Sequence, residues 1–416
     1  MRIALVHYTY LPVIAGVELV MAAHARLLAR AGHEVTIVCG RGSRSEPRNP
    51  SPANGERVVI LEEMDDTFGN LLLAPPVVWR CSPAPGGLWE QNVDELRAKL
   101  WEILAEHDVV MLHNVATMHF HPQLTAAVWQ LADELKSVRF ICWIHDLAAC
   151  NPDYAPLPLE FEPWSLLARA HPRVTYVAVS ELRRRQFLEL TRQPSIRCRT
   201  IPNGVEPAQV IDLPPRAAAL AQRFALFERD IVLLHPARLL RRKNVELSLK
   251  VTAALKAAGH SCACLITAPP EIHHSASRAY ETALREVRER LGLESDALFL
   301  NDSGPLDDRD LRGVFQLADA LFFPSRQEGF GIPILEAAMH RLRVFCSDIE
   351  PLNSLLADGI TTFSLDATPE EIAALIVRSL DADSAFAARK QTLRTYSWDA
   401  IYRNFLSPLL AETESP

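Results

Sequence analysis

LFFPSRQEGFGIPILEAAMHRLRVFCSD, residues 321–348, sets two glutamates, Glu328 and Glu336, around Gly329-Phe330-Gly331, with Pro333 just ahead of the second. Ala320-Leu321-Phe322-Phe323 is a short apolar run closed by Pro324-Ser325, the pattern of a strand buried on both faces. Pro333 suits the first turn of a helix, and Ile334, Leu335, Ala337, Ala338 and Met339 continue it, so a helix is expected to begin near Pro333. Arg343 to Ser347 reads as the next strand. Glu328 then falls in the loop and Glu336 in the first helical turn, both at the carboxyl end of a strand, where open α/β sheets bind ligands. Glycines let backbone N–H groups approach a ligand, and a helix amino terminus favours phosphate or hydroxyl oxygens. A glutamate in a first helical turn is also favourable through the macrodipole alone, so on these features by themselves both readings stand.

Working outward, 416 residues exceed one ordinary core and imply two domains of about 200 residues each. Apolar content of 49% and charged content of 23% are those of a globular protein that stays in water. The net charge of −8 and the lack of a dense Lys/Arg stripe interleaved with aromatics argue against nucleic-acid binding. Arg183-Arg184-Arg185 is the main basic cluster and reads as a solvated helix face. Cys39, Cys81, Cys142, Cys150, Cys198, Cys262, Cys264 and Cys346 are scattered, mostly in strand-like runs, which fits buried thiols better than disulfides or zinc. The opening MRIALVHYTYLPV lacks a signal-peptide core and no run approaches transmembrane length, so a cytoplasmic location is expected. Disorder is expected in the Pro-rich stretch near residues 47–55.

Short apolar runs alternate with helical stretches through the first half: RIALVHY, a helix over Glu18 to Ala31, EVTIVCG, DVVMLHN (108–114), RFICWIHD (139–146) and VTYVAVS (174–180). Such alternation implies a parallel sheet with helices on both faces. TIPNGVEPAQVIDLPP (200–215) breaks the rhythm with four prolines and reads as a linker. The alternation then restarts with DIVLLHPARLL, a helix over Val245 to Ala258, SCACLITAP, a helix over Ala279 to Leu291, ALFLND and the stretch quoted first. The chain therefore reads as α/β, two doubly wound domains in succession. A Gly-x-Gly-x-x-Gly turn after the first strand is missing; HYTYLPVIAGVE carries a single glycine, Gly16, which weakens a nicotinamide reading.

Glu328-Gly329-Phe330-Gly331-Ile332-Pro333-Ile334-Leu335-Glu336 resembles the Glu-x7-Glu motif of retaining glycosyltransferases of the GT-B fold, in particular glycosyltransferase family 4. ARLLRRKN (237–244), IHD (144–146) and AGVE (15–18) fall where that family has its other motifs, and the likeness runs over nearly the whole chain. The resemblance implies two Rossmann-like domains facing a central cleft. It also gives boundaries: an acceptor-side domain over 1–207, a nucleotide-sugar donor domain over 208–390, and a segment over 391–416, including TYSWDAIYRNFL, that crosses back to the first domain.

The resemblance also assigns roles. Arg238 and Lys243 match the family's pair for the departing diphosphate, whose growing negative charge needs a fixed cation. Glu336 would accept hydrogen bonds from the ribose hydroxyls, and Glu328 would contact the donor sugar beside the backbone N–H groups of Gly329, Phe330 and Gly331. His145 matches the histidine that contacts the donor sugar from the first domain, with Asp146 orienting its ring or a loop. Gly16 would let backbone N–H groups meet the diphosphate or the acceptor.

No Asp-x-Asp stands on a strand end to suggest a metal; Asp381-Ala382-Asp383 reads as a helix-end feature, and neither metal nor cofactor is expected beyond the nucleotide-diphosphate sugar. The chain departs from the family in having Ala15 before Gly16 where two glycines are usual, and HRLR (340–343) where many relatives carry a Gly and a Pro.

The expected reaction is a retaining transfer of a hexosyl group, from a donor of GDP-mannose or UDP-glucose type, to a hydroxyl of a soluble acceptor. The loops HYTYLPV (7–13) and HNVATMHFHP (113–122) could line the acceptor's pocket, or hold ordinary strand-end polar residues. The rival readings are an epimerase or phosphorylase of the same fold and a non-catalytic partner subunit that binds nucleotide sugars.

Overall fold

The computed structural model describes residues 1–42, 56–65, 88–154, 156–267, 275–356 and 359–412. Cys81 and the Pro-rich stretch over 47–55 lie outside them. Contacts divide the chain into two compact units after Gly204, and return it to the first unit at Trp398.

In the first unit seven strands form one parallel sheet: β1 (Arg2–Thr9), β2 (Glu34–Arg41), β3 (Arg57–Ile60), β4 (Val109–His113), β5 (Arg139–Ile144), β6 (Val174–Ala178) and β7 (Cys198–Thr200). Their order is β3-β2-β1-β4-β5-β6-β7. The apolar runs are buried on both faces: Ala4 and Val6 join one core while Ile3 and Leu5 join the other. A parallel strand covered by helices on each side requires this near-continuous hydrophobicity. The helix Gly16–Arg30 follows β1 and is closed by the turn at Ala31-Gly32, where the φ of +84° at Gly32 suits glycine. The helix Pro122–Glu134 begins with proline in its first turn, and His121 Nδ1 accepts from the Leu124 N–H.

The second unit repeats the plan with β8 (Ile231–His235), β9 (Cys262–Ile266), β10 (Ala297–Phe299), β11 (Ala320–Phe323), β12 (Arg343–Ser347) and β13 (Thr361–Phe363), all parallel, in the order β10-β9-β8-β11-β12-β13. Its two cores again divide alternate residues, Ile231 and Leu233 against Val232 and Leu234. Each sheet reverses its winding once, between β1 and β4 in the first and between β8 and β11 in the second. At such a switch the loops leaving the two strands turn opposite ways and open a crevice at their carboxyl ends.

The unit boundaries differ from the expected 207/208 and 391. Val205 bridges Ser397 in parallel, so both belong to the second unit. The helix Ser384–Gln391 also stays there, held by the buried Lys390 ammonium, which donates to the Arg229 carbonyl and pairs with Asp319 at 2.6 Å. Only from Trp398 does the chain pack in the first unit. Trp398 lies against Gly204, where a Cβ would come within 2.7 Å of the indole, and beside the His24 ring. Arg139 holds the end of the chain by donating to the carbonyls of Leu409 and Glu412. Asp383 caps the helix Ser384–Gln391 and pairs with Arg343, so the Asp-x-Asp is a helix-end feature.

The seven cysteines among the described residues are unpaired, and burial raises their thiols, Cys39 to about 11 and Cys264 to about 12. No described helix is long and apolar enough to cross a membrane.

Candidate functional site

In the second unit the loops after β8 and β11 are tied together. Lys243 ends the first loop and its ammonium forms an ion pair with the Glu328 carboxylate in the second. Both side chains are largely buried, at 13% and 7% exposure. Glu328 Oε1 also accepts from the Ser325 hydroxyl at 2.6 Å, and Lys243 sits 5.0 Å above the Phe323 ring. Arg242 approaches Glu328 Oε2 at 3.6 Å. Asn244, at φ +56°, clamps the loops by donating from Nδ2 to the Pro324 carbonyl at 3.1 Å, while the Arg326 N–H donates to the Arg242 carbonyl at 2.7 Å. Asparagine is among the few residues besides glycine that adopt this left-handed geometry readily. Ser325 and Asn244 were not singled out in the sequence; each is one polar residue in a loop, with no spacing to mark it.

Arg238 is exposed, in the same β8 loop. Gly331 adopts φ +109° just before the helix Ile332–Met339, and a Cβ there would meet Leu352 at 2.7 Å. Gly329 differs: a Cβ there would meet no atom of the described residues within 4 Å. Phe330 is half exposed. The helix starts at Ile332, one residue before the expected Pro333, which makes Glu336 its fifth residue and takes it out of the first turn. The macrodipole, which acts within that turn, therefore does not account for it. Glu336 is exposed, and its side chain makes no hydrogen bond or ion pair with a described residue.

In the first unit the loop after β1 is exposed from Ile14 to Gly16, and a Cβ on Gly16 would meet no described residue within 4 Å. Glu18, two residues into the helix, is buried; it accepts from the Thr9 hydroxyl and lies 3.8 Å from His7 Nε2. His145 follows β5. Asn114, at φ +58° just after β4, holds the turn by accepting the His145 N–H at 2.7 Å and the Asp146 N–H at 3.1 Å on one side-chain oxygen. Burial, with His24 and His7 adding to it, pushes the His145 imidazole down to about 3, so it is neutral at ordinary pH.

Asp146 does not orient the His145 ring. Its carboxylate accepts from the Leu147 N–H at 2.8 Å and the Asn151 amide at 2.9 Å, and pairs with Arg183 at 2.8 Å, so it organises the loop that follows. Arg183 is thus an anchor, although the run of three arginines reads as a solvated face. Within 113–122 the histidines divide by role. His121 caps a helix and contacts the Glu63 carbonyl, His113 meets His145, and His119 packs against Tyr154 with both ring nitrogens unpartnered among the described residues.

Two family models match the chain in succession: Glycosyltransferase Family 4 over residues 14–209 and Glycosyl transferases group 1 over residues 218–392. The chain belongs to glycosyltransferase family 4. This glycosyltransferase has the GT-B fold, with two Rossmann-like units. It is 23% identical over 379 residues to the mannosylglucosylglycerate synthase of Thermotoga maritima, covering 84% of this chain and 83% of that one. A match to the alpha-D-kanosaminyltransferase of Streptomyces kanamyceticus, at 27% identity, covers 41% of each chain. Among solved structures, a glycosyltransferase from Rickettsia africae aligns over 99% of both chains at 16% identity, with a TM-score of 0.39.

Proposed function

We propose that this glycosyltransferase moves a hexosyl group from a nucleoside-diphosphate sugar of GDP-mannose or UDP-glucose type to a hydroxyl of a small acceptor, with retention of anomeric configuration. The observation that carries the reading is the joining of the β8 and β11 loops where the second sheet reverses its winding. One loop brings Arg238 and Lys243, the other Glu328 and the Gly329-Phe330-Gly331 backbone. Gly329 supports a ligand in this place, because no described residue requires glycine there while a close ligand would.

Each side chain has a part in the transfer. As the anomeric bond to the diphosphate breaks, charge grows on the leaving oxygens, and Arg238 and Lys243 hold it in place of a metal ion. Glu336 accepts from the ribose hydroxyls. Glu328, with Oε1 already held by Lys243 and Ser325, accepts a sugar hydroxyl on Oε2. The acceptor hydroxyl approaches from the face the diphosphate leaves, and the diphosphate oxygen takes its proton. His145, neutral at ordinary pH, offers one ring nitrogen to the sugar, and the exposed turn at Gly16 leaves its backbone N–H open to the diphosphate or the acceptor. Similarity over most of its length to a synthase of a mannosylated, glucosylated glycerate supports a hexosyl donor and a small hydroxylated acceptor.

The test is turnover of UDP-glucose and GDP-mannose with glycerate and simple hexosides, in the presence of EDTA, with the product's anomeric coupling read by proton NMR. An α-linked product from an α-linked donor, formed undiminished in chelator, is expected. A β-linked product, or activity abolished by chelator and restored by a divalent cation, would overturn the retaining or the metal-free part of the proposal.

A further inference from the structure

Four histidines from four elements gather at the carboxyl end of the first sheet: His7 on β1, His24 on the helix Gly16–Arg30, His113 at the end of β4 and His145 just after β5. His24 and His113 have no solvent exposure. The His24 ring lies 4.6 Å from Trp143, 5.6 Å from Trp398 and 5.4 Å from His113, so aromatic surface encloses the group. Burial is the main cause holding all four imidazoles below their ordinary range, and Glu18 is the acidic group that faces His7. The rings are therefore neutral near pH 7, and each carries one proton on one of two nitrogens.

Where those protons sit follows from the partners. His113 Nδ1 lies 3.1 Å from His145 Nε2. The ring centroids are 5.4 Å apart with planes 26° from parallel, which is what an in-plane N–H···N bond of that length gives once a ring radius is added at each end. The rings meet edge to edge, and one of the two nitrogens is the donor. If His145 Nε2 donated, neutral His113 would carry its own proton on Nε2, which is buried and has no partner among the described residues. An orphaned buried N–H is rarer and costlier than an orphaned lone pair. The reverse arrangement leaves only a lone pair there.

We infer that His113 is a positioning residue: its Nδ1–H donates to His145 Nε2 and fixes His145 as the Nδ1–H tautomer, so that His145 meets the substrate as a neutral hydrogen-bond donor and not as a general base. His145 Nδ1, which has no partner among the described residues, is then the atom that points a proton at a hydroxyl or phosphoryl oxygen. The consequence for transfer rests on the donor-site reading above; the tautomer does not.

Two measurements test this. In protein labelled with nitrogen-15 histidine, two-bond proton–nitrogen correlations near pH 7 distinguish the tautomers, with His145 assigned from the signals lost in His145→Asn. The Nδ1–H pattern is expected, and the Nε2–H pattern would overturn the inference whether or not the enzyme turns over the sugars tried. His113→Asn puts an amide N–H where Nδ1 was and is expected to keep kcat within about threefold. His113→Leu fills similar space without a donor, and kcat is expected to fall about ten- to a hundredfold, with His145 spread over both tautomers. Equal loss in the two variants, or a His145 tautomer unchanged in His113→Leu, would assign His113 to packing alone.

Discussion

The Lys243 ammonium and the Glu328 carboxylate, 85 residues apart in the sequence, form one largely buried ion pair that joins the loops leaving β8 and β11. A buried pair is costly to break on one side, because the remaining charge is left desolvated without a partner. Glu328→Ala is therefore expected to destabilise the second unit by about 3 kcal/mol as well as abolish transfer. Glu336→Ala, at an exposed position whose side chain has no partner among the described residues, is expected to leave the melting temperature unchanged while removing nucleotide binding. Differential scanning calorimetry of the two variants beside a binding assay separates the effects.

The two loop glycines should part in the same way. Gly331→Ala forces a side chain into φ +109° and against Leu352, and is expected to cost about 1–3 kcal/mol of stability. Gly329→Ala meets no atom of the described residues, so its denaturant midpoint should match the parent while donor affinity falls. Equal affinity in Gly329→Ala and the parent would argue that no ligand passes close to that backbone.

His24 supplies a pH test of the first unit. Burial holds its imidazole at about 3, against 6.5 for the free side chain. Below pH 6.5 the unfolded chain takes a proton that the folded chain refuses, so this contribution to stability is full above 6.5 and is lost as pH falls toward 3, at about 1.4 kcal/mol per pH unit. Neither His24 nitrogen has a partner among the described residues, so His24→Phe gives up no hydrogen bond to them. Urea unfolding between pH 4 and 7 is expected to show a shallower acid loss in His24→Phe, by about that slope. Parallel curves would contradict the burial argument.

Trp398 tests the return of the chain to the first unit. It is buried among Ile401, Met21 and Ile201, against Gly204 and the His24 ring. Trp398→Ala is expected to cost about 3–5 kcal/mol, read as a lower melting transition for the first unit. A transition that does not move would place the terminal segment outside that unit's core.

Much of this was legible in the sequence because parallel strands buried on both faces leave unbroken apolar runs. Val109–His113, Arg139–Ile144 and Arg343–Ser347 stand within a residue or two of where those runs place them. β3, β7 and β13 were not legible: strands of three or four residues at or near sheet edges, partly exposed, carry no periodic signal. In the site, Glu328, Lys243 and Gly331 could be picked out from a spaced motif. The residues that hold them could not: Ser325 is a lone hydroxyl three residues before Glu328 with no spacing to mark it, and Asn244 across to Pro324, Asn114 under His145 and Arg183 on Asp146 matter through contacts between segments far apart in the chain. His113 is the clearest instance, since its partner is 32 residues away, just after the next strand.

Binding of a nucleoside diphosphate by the β8 and β11 loops, with Glu336 on its ribose, is decided by a thermal-shift series with UDP, GDP and ADP on the parent and on Glu336→Ala. One diphosphate is expected to stabilise the parent, by about 4 kcal/mol at a thousandfold excess over its Kd, and the shift is expected to disappear in Glu336→Ala. A parent unmoved by all three, or a shift of the same size in the variant, would contradict it.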